Sequence, residues 1–323
     1  MDIRLQALTR DDIPAWNRLL AAVERVDATG EHYNEADLHE EMDNPDIELG
    51  KDMVGAYDGD DLVGYFCVYP RAATAEQHKV HLEGAVHPKR RGEGIGTLLA
   101  GAMMARAVEA HTEKHPDVPA LYLASGKSDD AAKADLMGGI GLKPERWSFV
   151  MRADLTDVAD PPPLPDGLAI RMYDASMAGL LHATHNEVFQ DHPNFAGWTD
   201  VMWKQWVTES RNFRPNLSFV VVDPEHPDEL VAYVQTNEYD AYFEATGRRE
   251  AYVGKVGTRR EYRGRGLASI LLQHCMKAYQ QAGYDEASLD VDSENPTGAL
   301  GVYKRAGFEV ESKQTDYCLR VPR

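Results

Sequence analysis

Cysteine is scarce in this chain. The 323 residues hold three, Cys67, Cys275 and Cys318, far apart and odd in number. That excludes a disulfide framework and offers no zinc-ligand spacing. Long apolar runs are also missing: no stretch approaches the ~20 residues a membrane-spanning helix needs. The opening Met1-Asp2-Ile3-Arg4 lacks the apolar core of a secretory signal. The expectation is a cytoplasmic protein with no membrane partner. Positive charge is short as well, since 34 Lys and Arg against 53 Asp and Glu leave a formal charge of −19. This balance argues against a nucleic-acid surface and favours a cationic or amine-bearing partner, although acidity of this size also serves solubility alone.

What is present suits two domains: the chain is 43% hydrophobic and too long for one ordinary core. The clearest linker is Asp160-Pro161-Pro162-Pro163-Leu164-Pro165-Asp166-Gly167, stiff and extended. It divides the sequence into domains at 1–155 and 168–323, with the linker at 156–167. Before it, hydrophobic periodicity predicts a strand at 3–7 and a helix capped by Thr9 with Ile13, Trp16, Leu19, Leu20 and Val23 on one face. Some helix is expected at 35–42, then a hairpin at 53–57 and 62–69, and a strand at 80–86. A helix at 97–109, a strand at 121–124, a short helix at 130–137 and a strand near 147–151 complete the half. After the linker the pattern restarts with a strand at 168–172, a helix at 176–189 and a hairpin at 218–222 and 230–235. Leu62-Val63-Gly64-Tyr65 corresponds to Leu230-Val231-Ala232-Tyr233. The chain is an internal duplication, each half reading β-α-α-β-β-β-α-β-α-β, an α/β fold with helices on both faces of a sheet.

Each half carries closely spaced glycines between a strand and a helix. They are Arg91-Gly92-Glu93-Gly94-Ile95-Gly96 and Arg263-Gly264-Arg265-Gly266-Leu267-Ala268. Small residues there let backbone N–H groups converge on a phosphate, and the helix N-terminus adds partial positive charge. A dinucleotide fold would place Gly-x-Gly-x-x-Gly after its first strand, with an acidic residue about twenty further on. Here the turns come late in each half and read Gly-x-Gly-x-Gly and Gly-x-Gly-x-Ala, which argues against a dinucleotide-dependent oxidoreductase. His111 and His115 have metal-pair spacing but no evident third ligand, so no metal is expected.

A strand, then Arg-x-x-Gly-x-Gly/Ala, then a helix, occurring twice, resembles the pyrophosphate loop of the GNAT superfamily of acyl-CoA N-acyltransferases. In the second half, Asn295-Pro296-Thr297-Gly298-Ala299-Leu300 leads to Tyr303-Lys304-Arg305-Ala306-Gly307-Phe308. This is similar to the superfamily's closing signature, an Asn followed by a helix with a Tyr four residues before Gly-Phe. The resemblance covers nearly the whole chain and implies two tandem domains, each a mixed, mostly antiparallel sheet flanked by helices. Among tandem members the chain resembles the mycothiol synthases. Phe189-Gln190-Asp191-His192-Pro193 with Gly197-Trp198-Thr199 matches a segment of their C-terminal domain. Glu250, thirteen residues before Arg263, falls where they carry the general base. Ten residues earlier they have a substrate-binding lysine, and this chain has Asp240.

The resemblance implies an acetyl-CoA co-substrate, no metal, and transfer of acetyl to a primary amine of a small molecule. Arg263, Gly264, Arg265, Gly266, Leu267 and Ala268 would hold the pyrophosphate. In the first copy the corresponding set is Arg91, Gly92, Glu93, Gly94, Ile95 and Gly96, with Ala85 and Val86 on the strand before it. Two strands are expected to splay near Val256, so that the pantetheine arm pairs with an exposed edge. The N–H of Val256 or Gly257, with Thr258 beside them, would hold the thioester carbonyl. Glu250 would take the proton of the arriving ammonium, and strict alternation puts it on the face of Tyr252, Gly254 and Val256. The competing reading of Glu250 is a solvated residue after Arg248-Arg249. Tyr303 would protonate the departing thiolate, against the alternative of a core aromatic. Asn295 caps a helix on either reading and adds a CoA contact on this one. His192 and Trp198 would lie near the acceptor, although core packing is the favoured reading of Trp198, Trp203 and Trp206. In the first copy Met137 stands four residues before Gly141-Leu142, and a thioether donates no proton. The first domain is therefore expected to be degenerate. Two other functions fit the same motifs: a non-catalytic acyl-CoA-binding protein and a protein acetyltransferase. A tandem pair mimics a dimer internally, so a monomer is expected.

Overall fold

A computed structural model describes residues 2–74, 76–190, 195–293 and 299–323. In chain order the elements are β1 (Ile3–Ala7), α1 (Ile13–Asp27), α2 (Glu35–Met42), β2 (Met53–Asp58), β3 (Asp61–Pro70), β4 (His78–Val86), α3 (Ile95–Lys114), β5 (Ala120–Lys127), α4 (Ala131–Gly139) and β6 (Lys143–Asp154). Then follow β7 (Ala169–Met172), α5 (Ala178–Val188), α6 (Asp200–Trp203), β8 (Phe219–Val222), β9 (Leu230–Asn237), α7 (Asp240–Thr246), β10 (Glu250–Thr258), α8 (Leu267–Gln281), β11 (Glu286–Asp292), α9 (Ala299–Arg305) and β12 (Glu309–Val321). Thr9 stands at the N-cap of the short 3₁₀ turn Arg10–Asp12 that leads into α1, where its N–H donates to Asp12 Oδ2 at 2.8 Å. Among the described residues, no helix is long and apolar enough to cross a membrane.

The chain forms two compact units, and they do not follow the linear order of the sequence. The first is Met1–Trp147 with Gln314–Arg323, and the second is Ser148–Lys313. In the first unit the strand order is β1-β2-β3-β4-β5-β12, and in the second β6-β11-β10-β9-β8-β7. The C-terminal half of β12 runs antiparallel to β5 from Gln314↔Lys127 to Val321↔Ala120. The later part of β6 runs antiparallel to β11 from Ser148↔Asp292 to Asp154↔Glu286. Each half of the sequence thus supplies the closing strand of the other half's sheet. Sequence periodicity announces a strand at each of these places but says nothing about its partner. The Pro-rich segment lies within the second unit.

Both sheets are mixed. β4–β5 and β10–β11 are parallel, and the other registered pairs are antiparallel. Alternation gives each sheet two faces, and helices cover both. In the second unit, Leu267, Leu271, Leu272, Cys275, Met276 and Tyr279 of α8 pack on Ala251 and Val253 of β10 and Ala287, Leu289 and Val291 of β11. A second cluster, built from Leu181 and Val188 of α5 with Trp203, covers Val220, Leu230 and Tyr233 on the other side. In the first unit, Ile95, Leu99 and Met103 of α3 pack on Val80, Leu82 and Tyr122, and Tyr317 of β12 joins them. Trp16, Leu19, Leu38 and Met42 of α1 and α2 cover Tyr57, Tyr65 and Cys67 opposite.

Because Tyr317 is buried in the first unit's core, Tyr317→Ala is expected to cost that unit about 3 kcal/mol. Hydrogen exchange should accelerate at the β5 amides and leave those of β11 unchanged. Faster exchange confined to β11 would contradict the assignment of the last strand.

Candidate active site

The second unit opens its sheet at one place. β10 pairs with β11 only at Glu250↔Glu286, Ala251↔Ala287 and Tyr252↔Ser288, while its other edge stays paired with β9 as far as Thr258. Beyond Tyr252 the edge of β10 that faced β11 has no strand partner among the described residues. Its N–H and C=O groups are left for an added extended chain. The splay expected near Val256 is therefore present and begins at Tyr252.

A bulge sits on the open stretch. Val253 pairs with Thr236 and Lys255 with Gln235, so Gly254 is the extra residue. A Cβ at Gly254 would lie 2.4 Å from Oε1 of Gln235, which explains glycine there. The bulge also corrects the expected alternation. Glu250 and Tyr252 share a face, but past Gly254 that face passes to Lys255 and Gly257. Val256 turns instead towards the core beneath α8. Lys255 Nζ stands over the Trp198 ring at 4.6 Å on the opposite side. Trp198 is held there by α5, since its N–H donates to Asn186 Oδ1 at 2.8 Å and its carbonyl lies 2.8 Å from His182 Nε2. Trp203, by contrast, is buried and stacks on His182, so it belongs to the core.

At the end of β10 the chain turns into α8. Gly264 and Gly266 adopt left-handed φ of 78° and 77°, which L side chains rarely take, and no side chain caps the helix. The first-turn N–H groups therefore have no intrahelical or side-chain acceptor. Arg263 does not add its charge freely to this turn. Its Nε donates to Thr258 O at 3.0 Å and its Nη2 to Val188 O at 3.2 Å, fastening the turn to β10 and α5. Arg265 is exposed and lies over the Tyr262 ring. Thr258 Oγ1 is buried and has no hydrogen-bond partner among the described residues.

The face of β10 and β11 turned away from α8 is polar. It carries Glu250, Tyr252, Glu286, Ser288 and Asp290, with Arg152 of β6 opposite Ser288. Glu250 is buried, not the solvated residue of the competing reading. Arg152 Nη1 donates to Glu250 Oε1 at 2.5 Å and to Glu286 Oε1 at 3.0 Å, and its Nε donates to Glu311 at 2.9 Å. Burial raises the pKa of Glu250, with the Arg152 charge and a Ser288 hydrogen bond opposing it. Tyr252 continues the polar face by donating to Asp290 at 2.8 Å. Asp240, at the start of α7, is exposed and lies within 4 Å of Arg211 and Arg214. Tyr303, on α9, packs beside the α8 core with its ring 6.3 Å from that of Phe308. Burial pushes its hydroxyl up to about 12, so it keeps its proton throughout the physiological range. Sequence reasoning missed Arg152 and Glu286. The alternation Glu286-Ala287-Ser288-Leu289-Asp290 was a readable signal for the second, whereas nothing local marked Arg152. His192 and Asn295 lie outside the described residues.

The first unit repeats the frame and differs in the side chains. β4 pairs with β5 over His78–Leu82 and continues to Val86, through Ala85, paired only with β3. Gly92 and Gly94 have φ of 79° and 82°, and α3 is likewise uncapped. Arg91 Nε donates to Val86 O at 3.3 Å, as Arg263 does to Thr258, but its two Nη groups clasp the Asp27 carboxylate at 2.7 Å each. Glu93 stands where the second turn has Arg265, and it pairs with Arg90 at 2.8 Å. β4 has no register shift, so, discounting the bulge, Lys79 occupies the register of Glu250. Met137 is buried among core residues. His78 joins His111, with Nδ1 atoms 2.9 Å apart, and His115, but among the described residues no group of His, Cys, Asp or Glu is arranged to hold a metal.

Because the folded-state pKa of Glu250 is raised, its contribution to stability is full at low pH and is lost as pH rises through the raised value. Glu250→Gln is therefore expected to have a higher thermal midpoint than wild type at pH 8, with the difference closing at pH 4. A lower midpoint at pH 8 in a calorimetric scan would refute this.

The comparisons with known proteins agree with this architecture. The profile of the acetyltransferase (GNAT) family matches residues 16–134 and 176–308. The mycothiol acetyltransferase of Nocardia farcinica is 30% identical over 309 residues, covering 94% of this chain and 92% of its own. That of Thermobispora bispora is 30% identical over 259 residues, 78% of each. Among solved structures, a GCN5-related N-acetyltransferase from Sphaerobacter thermophilus superposes with a TM-score of 0.79 at 25% identity, covering 99% of this chain and 96% of the other. A tandem GNAT protein from the clavulanic acid pathway shares the fold, with a TM-score of 0.72 at 16% identity over 99% and 98%. With the glycine turn and the parted strands present in both units, the chain belongs to the GNAT family and is an N-acetyltransferase of the tandem-domain kind.

Proposed function

We propose that this protein transfers acetyl from acetyl-CoA directly to a primary amine of a small molecule, and that the chemistry takes place in the second unit. The observation that carries the proposal is that the second unit alone joins an opened strand edge to a buried carboxylate, a cation-bearing glycine turn and a tyrosine on α9, whereas the first unit has Lys79, Glu93 and Met137 in place of the last three.

The residues present fit acetyl-CoA. Left-handed Gly264 and Gly266 leave the uncapped N-terminus of α8 open, and a Cβ at either would meet nothing within 4 Å. Residues 264–268 and Arg265 would hold the pyrophosphate. The free edge after Tyr252 takes the pantetheine amides, and the buried Thr258 hydroxyl lacks the partner that such a chain supplies. Polarising the thioester carbonyl falls to the backbone N–H groups around Val256 and Gly257. In the first unit, Glu93 and the Asp27 clasp on Arg91 put carboxylates where the ligand would bring negative charge, which disfavours the same complex.

Glu250 is the base in this reading. Burial lifts it above an ordinary glutamate and hence towards the proton affinity a base needs near neutrality. Val256 lies six positions further along the strand, on the order of 20 Å if fully extended, so the amine proton reaches Glu250 through water along Ser288, Tyr252 and Asp290. The thioester carbon is attacked by the neutral amine, the tetrahedral oxyanion collapses, and the C–S bond breaks. Tyr303 hands its proton to the departing sulfur and regains one from the nitrogen of the new amide. The acceptor lies near Trp198. The relatives named above are mycothiol acetyltransferases. Asp240 in place of a lysine, paired with Arg211 and Arg214, points to an acceptor that differs from theirs at that contact.

Tyr303→Phe is expected to lower kcat by roughly a hundredfold or more, with the KM for acetyl-CoA within about twofold of wild type, read by release of free CoA thiol. An unchanged kcat would remove the chemistry from the second unit.

A further inference from the structure

Glu250 does not stand alone. β10 and β11 run parallel with Glu250 and Glu286 in direct register, so two buried carboxylates sit side by side on one face. A single guanidinium nitrogen of Arg152 reaches both, at 2.5 Å and 3.0 Å. The remaining groups around the pair are accounted for element by element. From β11, Ser288 hydrogen-bonds Glu250. From α7, the Tyr242 hydroxyl donates to Glu286. Ahead of β10, Arg248 Nη2 lies 2.9 Å from Glu286 Oε2 and 3.6 Å from Asp154. From β12, Glu311 takes the Nε of Arg152. Glu286 thus has Arg248 and Tyr242 besides Arg152, and Arg152 is the only cation in an ion pair with Glu250 among the described residues.

This arrangement decides the charge of the base. The Glu286 carboxylate disfavours ionisation of Glu250, and burial disfavours it further. Left uncompensated, Glu250 would hold its proton to higher pH and would be a poorer acceptor for one from an ammonium. A cation at hydrogen-bond distance opposes both effects, and a bidentate-capable, planar guanidinium also fixes the carboxylate's orientation. We propose that Arg152 is a positioning residue for the acetyl transfer, holding the Glu250 carboxylate in place and in its ionised form, with Glu286 as the opposing influence. The inference rests on the reading of Glu250 as the base. It also assigns a reason for the exchange of closing strands. Arg152 lies before the Pro-rich segment in sequence, yet through β6 it belongs to the unit that holds the site. A catalytic half defined from residue 168 onward lacks it.

The test is the pH profile of kcat/KM for the full chain, measured with acetyl-CoA and an amine that the wild type acetylates. The acid limb reports the base of the free enzyme. In Arg152→Met the limb is expected to move up by at least about one pH unit, the size of effect that one close opposite charge exerts on a carboxylate. In Glu286→Gln the limb is expected to move down. Arg152→Lys, which keeps the charge but not the fork, should retain a limb near the wild-type position while losing rate at every pH. Circular dichroism of each variant reports folding, and if Arg152→Met does not fold, the opposite movement in Glu286→Gln carries the test alone. A uniform loss of rate with an unmoved limb in every folded variant would overturn the proposal. Glu250→Gln separates the two readings: if it keeps both the rate and the acid limb, Glu250 is not the base. If it loses the limb while the Arg152 and Glu286 variants leave the limb unmoved, only the positioning role fails.

Discussion

The parting of β10 from β11 is the constraint on which the rest of the second unit depends. Parallel strands satisfy each other's backbone groups, and a parallel pair that stops after three residues leaves the remainder of a buried edge unsatisfied. The fold tolerates this because the other edge of β10 is secured by β9 to its end, and because α8 packs beneath the strand through Leu267, Leu271 and Cys275. The glycine turn follows directly from that strand, so the open edge and the uncapped helix N-terminus are set by one continuous segment. Arg263 tightens the arrangement by tying the turn back to Thr258 and to the end of α5.

The bulge at Gly254 adds a second consequence. By inserting one residue it changes which side chains face the polar side, placing Lys255 and Gly257 there and sending Val256 into the core. The first unit, with an unbulged β4, keeps simple alternation and carries a lysine near the start of that strand, in the register of Glu250. The two copies therefore share a backbone plan while diverging in the chemistry they carry. The divergence in the first copy is consistent throughout: an acidic residue in the turn, an arginine neutralised by Asp27, and a buried methionine on α4.

Much of this was legible in the sequence for a physical reason. Glycines that must take positive φ, such as Gly94 and Gly266, have no substitute, and apolar alternation in a half-buried strand is fixed by the pleat, so both duplication and turns could be read directly. The contrast between Met137 and Tyr303 was equally visible. What could not be read was pairing between distant strands. Residues 148–154 and 314–321 look like ordinary strands, and only the folded chain shows that each closes the sheet of the other half. The role of Arg152 was hidden for that reason. The flipped facing of Val256 was hidden because a glycine inside a strand marks a bulge only by suggestion.

The central claim is that one unit of the tandem pair holds acetyl-CoA for chemistry. Hydrogen–deuterium exchange of the full chain with and without saturating acetyl-CoA tests it most directly. The account predicts new protection at backbone amides in residues 253–269, the open edge of β10 and the start of α8, with residues 83–97 unchanged. Protection confined to residues 83–97 would contradict it.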